Sequence, residues 1–130
     1  MSSRIAQSSR QKPSVMIVED EALIAFSLED AFGDEGYDVA GSFSSCADAL
    51  AALASTQPDV AVVDATLSDG SCFDLARELR RRAVPFLVYS GRDAVEERAP
   101  ELEGVVWIEK PAASATVIEA AARLLARESA

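Results

Sequence analysis

Histidine is absent from this 130-residue sequence, and cysteine occurs only twice. The first absence removes Ser-His-Asp catalysis, His-ligated zinc and phosphohistidine chemistry from the chain itself. Cys46 and Cys72 are too far apart for a CxxC motif and too few for a disulfide scaffold, so they read as reduced thiols in packing roles. Basic residues are also scarce. Twelve Lys and Arg stand against 22 Asp and Glu, a net charge of −10, and phosphate-backbone contacts need the opposite sign, so direct nucleic-acid binding is not expected. No run approaches the roughly 18 apolar residues of a membrane span. The first 14 residues are basic and polar without an apolar signal core, so a cytoplasmic, membrane-free protein is expected. Any chemistry must therefore use carboxylates, hydroxyls and lysine.

What is present is nearly half apolar and about a quarter charged, the balance of a single globular domain. Residues 1–13 lack periodicity and end in Pro13, which suits a disordered tail, leaving 14–130 as the domain. From there short β-branched runs alternate with helix-period segments, which predicts βα units around a parallel sheet. Strand candidates are SVMIVE (14–19), YDVAGSF (37–43), DVAVVD (59–64), VPFLVYS (84–90) and GVVWIE (104–109). Four are almost continuously apolar, as strands covered on both faces must be.

Helix stripes run through Ile24, Leu28, Ala31 and Phe32, and through Val117, Ala121, Leu124 and Leu125. A further helix is read from Leu50, Leu53 and Ala54 behind Ser45 and Asp48, and another from Phe73, Ala76 and Leu79 behind Ser71 and Asp74. Between 92 and 103 apolar residues are few and Pro100 intervenes, so the fourth helix is short or degenerate, from Asp93 to about Ala99. The expected fold is α/β: a doubly wound five-stranded parallel sheet, flavodoxin-like (βα)5, with ligands beyond the carboxyl ends of the strands.

Those strand ends carry Glu19 and Asp20, Asp64, Ser90, and Lys110. Singly, each has an ordinary alternative: the first two acids could cap a helix, Asp64 could start a turn, and Ser90 and Lys110 could simply be solvated. Together they make a site. Clustered carboxylates repel unless a positive charge joins them or their pKa values rise. Oxygen-only ligands select a hard cation such as Mg²⁺, which binds through one or two carboxylates and a phosphate. Lysine and serine add donors for phosphoryl oxygens, and Asp64 can act as the nucleophile.

The motifs VEDE (18–21), VVDATL (62–67), YSG (89–91) and EKP (109–111), in this order, resemble those of response-regulator receiver domains, over roughly residues 14–128. The resemblance implies a two-component signalling switch, phosphorylated on Asp64 by a histidine kinase or phosphotransfer protein and read by a downstream protein in trans. It implies Asp20 as a direct Mg²⁺ ligand, Glu19 acting through water, and the Thr66 backbone carbonyl as a further ligand. Ser90 matches the switch hydroxyl, Lys110 the phosphoryl-pairing lysine, and Trp107 the aromatic switch position, where a tyrosine is usual. The Lys110-Pro111 peptide is implied to be cis. Ser68 and Cys72 replace the proline and second glycine that many receivers carry, and Thr66 and Arg92 occupy positions where the family tunes dephosphorylation.

Two other functions compete. A phosphohydrolase of the haloacid-dehalogenase type would also combine aspartate, Ser/Thr, Lys and Mg²⁺, but its nucleophile follows the first strand and has an acid two residues on, where this chain has Thr66. A receiver-shaped module that binds partners without phosphorylation is the other. The basic run at Arg77, Arg80, Arg81 and Arg82 reads as a helix C-terminus complementing its dipole.

Overall fold

Alternating apolar runs and amphipathic segments produce the expected layers in the computed structural model, which describes residues 12–65, 72–91 and 102–129. The strands are β1 (Ser14–Val18), β2 (Asp38–Phe43), β3 (Val60–Val63), β4 (Phe86–Ser90) and β5 (Val106–Glu109). Interleaved with them are α1 (Ala22–Asp34), α2 (Cys46–Ala52), α3 (Cys72–Arg81) and α4 (Ser114–Ser129). All described strand pairs are parallel, in the order β2-β1-β3-β4-β5. The order reverses direction between β1 and β3, which places a crevice at their carboxyl ends. The expected short helix at 93–99 lies outside the described residues, as do 1–11 and Ser71.

Strand composition explains position in the sheet. β3 and β4 are buried throughout, whereas β2, whose residues alternate between exposed and half-buried, forms an edge. Side chains alternate between two cores. Met16, Val18, Ala61, Val63 and Val88 pack under α2 and α3, while Val15, Ile17, Val60, Val62, Leu87 and Tyr89 pack under α1 and α4. Burying each large aliphatic or aromatic side chain contributes about 1.5–3 kcal/mol, and Phe32, Met16, Ile17, Leu28 and Leu79 are among the fully buried ones.

Local signals set the helix ends. Ser45 caps α2 by accepting the Asp48 N–H at 3.1 Å. Gly36, at φ +91, turns the chain out of α1 in the left-handed region, where a side chain would be strained. The stripe read for α3 needs correction: Phe73 is 41% exposed, and Leu75, Ala76 and Leu79 face the core. Lys12 and Pro13, assigned to the tail, lie against β2, with the Asp38 N–H donating to the Pro13 carbonyl at 2.9 Å.

Candidate functional site

The sheet's hydrogen bonds run into the crevice. The Glu19 N–H donates to Phe43 at 2.8 Å, Asp64 N–H to Val18 at 2.9 Å, and Lys110 N–H to Ser90 at 2.9 Å, so each residue leaves its strand from a fixed backbone position. Glu19 and Asp64 are buried, Asp20 is exposed, and one carboxylate oxygen from each lies within 4.8 Å of the others.

Donors already converge on Asp64. The Ser90 hydroxyl donates to its Oδ1 at 2.7 Å and in turn accepts the Ala65 N–H at 2.6 Å. Lys110 Nζ donates to Oδ2 at 2.9 Å, and also contacts Glu19 Oε1 at 2.8 Å and Glu21 Oε2 at 3.3 Å. Burial alone would lower the Lys110 pKa, but its bonds to Glu19 and Asp64, and their charges, outweigh that and hold it above the ordinary lysine range. Burial raises the Glu19 carboxyl pKa and Asp64 adds to the rise, while Lys110 and the Glu21 N–H oppose it.

One ammonium against the three carboxylates of Glu19, Asp20 and Asp64 leaves an excess of two negative charges. A divalent cation balances that excess. The three carboxylates offer the hard oxygen donors that Mg²⁺ takes, one oxygen from each within 4.8 Å of the others. The residues therefore fit the ion expected from the sequence. Thr66, the expected carbonyl ligand, lies outside the described residues.

The structure thus brings together Glu19, Asp20, Asp64, Ser90 and Lys110. It places Trp107 apart from them, half-buried in β5 and packed against the core under α2 and α3. The Lys110-Pro111 peptide is cis, as expected. The helix-capping alternative fails for Asp20: the N-cap of α1 is Glu21, whose side chain makes no capping bond, while Glu19 Oε2 accepts the Glu21 N–H at 3.0 Å.

Three participants escaped the sequence reading. Glu21 sits in VEDE, but its approach to Lys110 depends on how α1 starts. The Ala65 N–H is a backbone group with no side-chain signal. Tyr89 lies in the YSG motif without a role read for it, yet its hydroxyl donates to the Ala112 carbonyl at 3.0 Å and accepts the Ala112 N–H at 3.1 Å, which fixes the turn after Pro111. Its ring lies 5.6 Å below Lys110 Nζ, a cation–π distance.

The cysteines differ most from expectation. Cys46 and Cys72 are joined as a disulfide, not held as two thiols. Their separation of 26 residues gave no local cue; the sheet order brings the starts of α2 and α3 together.

A parallel sheet of this order with an acid-ringed aspartate at its switch point defines a receiver-type α/β domain. Residues 15–122 match the response regulator receiver domain family, and the chain belongs to it. It is 36% identical over 107 residues to the probable transcriptional regulatory protein TcrX of Mycobacterium tuberculosis, covering 78% of this chain and 44% of that protein. It is 31% identical over 110 residues to the transcriptional regulatory protein PdtaR of the same species, covering 82% and 53%. The chain thus spans about half the length of these curated relatives. A CheY-like response regulator receiver domain protein from Methanospirillum hungatei superposes with a TM-score of 0.81 at 21% identity, over 92% of this chain and 98% of that one, a likeness of fold.

Proposed function

We propose that this receiver domain is a phosphorylation-dependent switch whose acceptor is Asp64. The observation that carries the reading is that both Asp64 oxygens already hold donors, Ser90 on one and Lys110 on the other, inside an acidic crevice. A histidine kinase or phosphotransfer protein is the donor in this reading. An Asp64 carboxylate oxygen forms the new bond to phosphorus as the P–N bond of a phosphohistidine breaks. Asp20, Asp64 and the Thr66 backbone carbonyl, with Glu19 acting through water, would hold Mg²⁺, which would supply charge neutralisation for the transferring group.

The chain's own residues then hold the product. Lys110 offers a point charge to the phosphoryl oxygens, Ser90 turns its hydroxyl to them, and the Ala65 N–H released by Ser90 adds a third donor. Losing the Ser90–Asp64 bond on one side of β4 and repacking beside Trp107 biases the output surface. Output is to a protein in trans, in the cytoplasm, with 14–130 as the working domain and no contact with nucleic acid. The net charge of −10 supports the last point; among the described residues no helix is long and apolar enough to cross a membrane. Family membership and the place of Asp64 after β3 favour signalling over turnover as a phosphohydrolase.

The test is uptake of radiolabel from an acyl phosphate in Mg²⁺. The parent labels stoichiometrically and Asp64→Asn does not, because the amide keeps the shape but is a far poorer nucleophile. Labelling of Asp64→Asn at the parental rate would move the acceptor elsewhere.

A further inference from the structure

The switch described above makes no use of the Cys46–Cys72 disulfide. Its Cα atoms are 5.1 Å apart, inside the range of about 4.4–6.8 Å that such a bond requires. Cys46, the first residue of α2, is completely buried; Cys72, the first of α3, is half-buried. The Cys72 sulfur also lies 3.8 Å from the backbone carbonyl oxygen of Asp64. A thiol there donates its proton to that carbonyl. A disulfide sulfur has no proton to donate, so closing the bond exchanges a contact with the acceptor residue for a covalent tie to α2.

We propose that Cys46 and Cys72 form a reversible dithiol–disulfide site that couples an oxidant to the Asp64 crevice. The coupling rests on Asp64 being the acceptor; the redox site does not. Cys72 is the attacking sulfur, reachable from solvent and at the start of the ten-residue α3, where the helix dipole favours a thiolate. The fully buried Cys46 resolves.

With a peroxide as oxidant, the Cys72 thiolate attacks one peroxide oxygen. The S–O bond forms, the O–O bond breaks, and the departing oxygen leaves as hydroxide, which takes up the proton that the Cys72 thiol had lost to become water, giving a sulfenic acid. The Cys46 sulfur then attacks the Cys72 sulfur and expels hydroxide, which takes the Cys46 proton to form a second water. Two thiols lose two electrons in all and the peroxide gains them. A dithiol reductant reverses the bond by thiol–disulfide exchange.

Both arms can be read on the full chain. Protein treated with hydrogen peroxide, or with dithiothreitol, is denatured, labelled with a maleimide and weighed. Two labels on the reduced form, none on the oxidised form, and one cross-linked peptide pair containing Cys46 and Cys72 establish the site. Two labels after peroxide, or bridges between chains instead of within one, overturn it.

Calorimetry with beryllofluoride and Mg²⁺ reads the coupling, expected as an affinity difference of about fivefold or more between the two states. Cys46→Ala should show one affinity under both treatments, and Cys72→Ser serves the same purpose should the buried substitution unfold the protein. Equal parental affinities overturn the coupling. Binding in neither state overturns both the acceptor assignment and the coupling, while the label count still decides the redox site.

Discussion

Lys110 is the cation on which the acidic crevice leans. Its ammonium lies within 2.9 Å of both Glu19 and Asp64, two carboxylates whose side chains are 2% exposed. Removing one partner of a buried ionic group costs more than the pair contributes, because the remaining charges stay desolvated. Lys110→Met should therefore lower metal-free stability by about 3 kcal/mol, the low end for such a loss, since Asp20 keeps one side of the crevice open to water. Mg²⁺ should restore part of that loss by taking over the neutralising role. Urea unfolding of both proteins with and without Mg²⁺ measures it, and an unchanged midpoint for the metal-free variant would show that the crevice tolerates its negative charges.

Away from the crevice, Glu78 accepts hydrogen bonds from Arg81 at 2.6 and 3.0 Å and from Arg82 at 2.6 Å. These bonds bring its carboxyl from the ordinary 4.5 down to about 2. A carboxyl depressed by folding stabilises the protein above its unfolded pKa, and that contribution fades as pH falls through the folded one. The stability difference between parent and Glu78→Gln should thus be full near neutrality and shrink between about pH 4.5 and pH 2. The group is partly exposed, so added salt should reduce the difference at every pH. Urea midpoints across an acid series, at low and high salt, check both trends.

At the scale of elements, β4 and β5 connect the crevice to the face under α2 and α3. Ser90 pairs with Glu109, Val88 pairs with Trp107, and the Trp107 side chain packs against the same core as Ala65 and Cys72. In the proposed switch Ser90 would turn from Asp64 to the phosphoryl group and the Ala65 N–H would exchange the Ser90 hydroxyl for a phosphoryl oxygen, so the chain beside Trp107 would adjust. Beryllofluoride with Mg²⁺ should change Trp107 emission saturably. Ser90→Ala should blunt that change while leaving analogue binding within about tenfold, one neutral-to-charged hydrogen bond being worth about 1.5 kcal/mol. A flat parental response, with binding confirmed by calorimetry, would make Trp107 a static core residue.

Elements were legible from sequence where pattern and burial coincide. β3 and β4 are buried along their whole length, and Leu28, Phe32, Val117 and Ala121 lie on the stripes that periodicity marks. Phe73 departs from its stripe because hydrophobicity does not dictate burial: α3 turns Leu75, Ala76 and Leu79 inward, and an isolated apolar residue on a surface costs little. The acid, serine and lysine positions were readable because the doubly wound topology gathers strand ends. The disulfide and the Ala65 N–H were not, since one depends on helix starts 26 residues apart and the other on a backbone group common to nearly every residue.

For the whole molecule, charge decides the response to metal. A chain with net charge −10 repels itself, and part of that repulsion is concentrated where Glu19, Asp20 and Asp64 face one another. A cation bound only by the folded crevice stabilises by RT ln(1 + [L]/Kd), about 2.7 kcal/mol at 100-fold excess over Kd. For a domain of this size that corresponds to a rise in Tm of roughly 10 °C. Unspecific screening of the surface would also raise Tm, but it depends on ionic strength and not on one carboxylate. Asp20 separates the two causes. It is the exposed member of the cluster, so Asp20→Ala removes the proposed ligand without opening a cavity in the core. At constant ionic strength, MgCl2 in place of NaCl should raise the parental Tm saturably and leave the Asp20→Ala Tm nearly unmoved, while both proteins respond alike to NaCl alone. An equal Mg²⁺-specific shift in the variant would place the ion outside the crevice formed by β1 and β3.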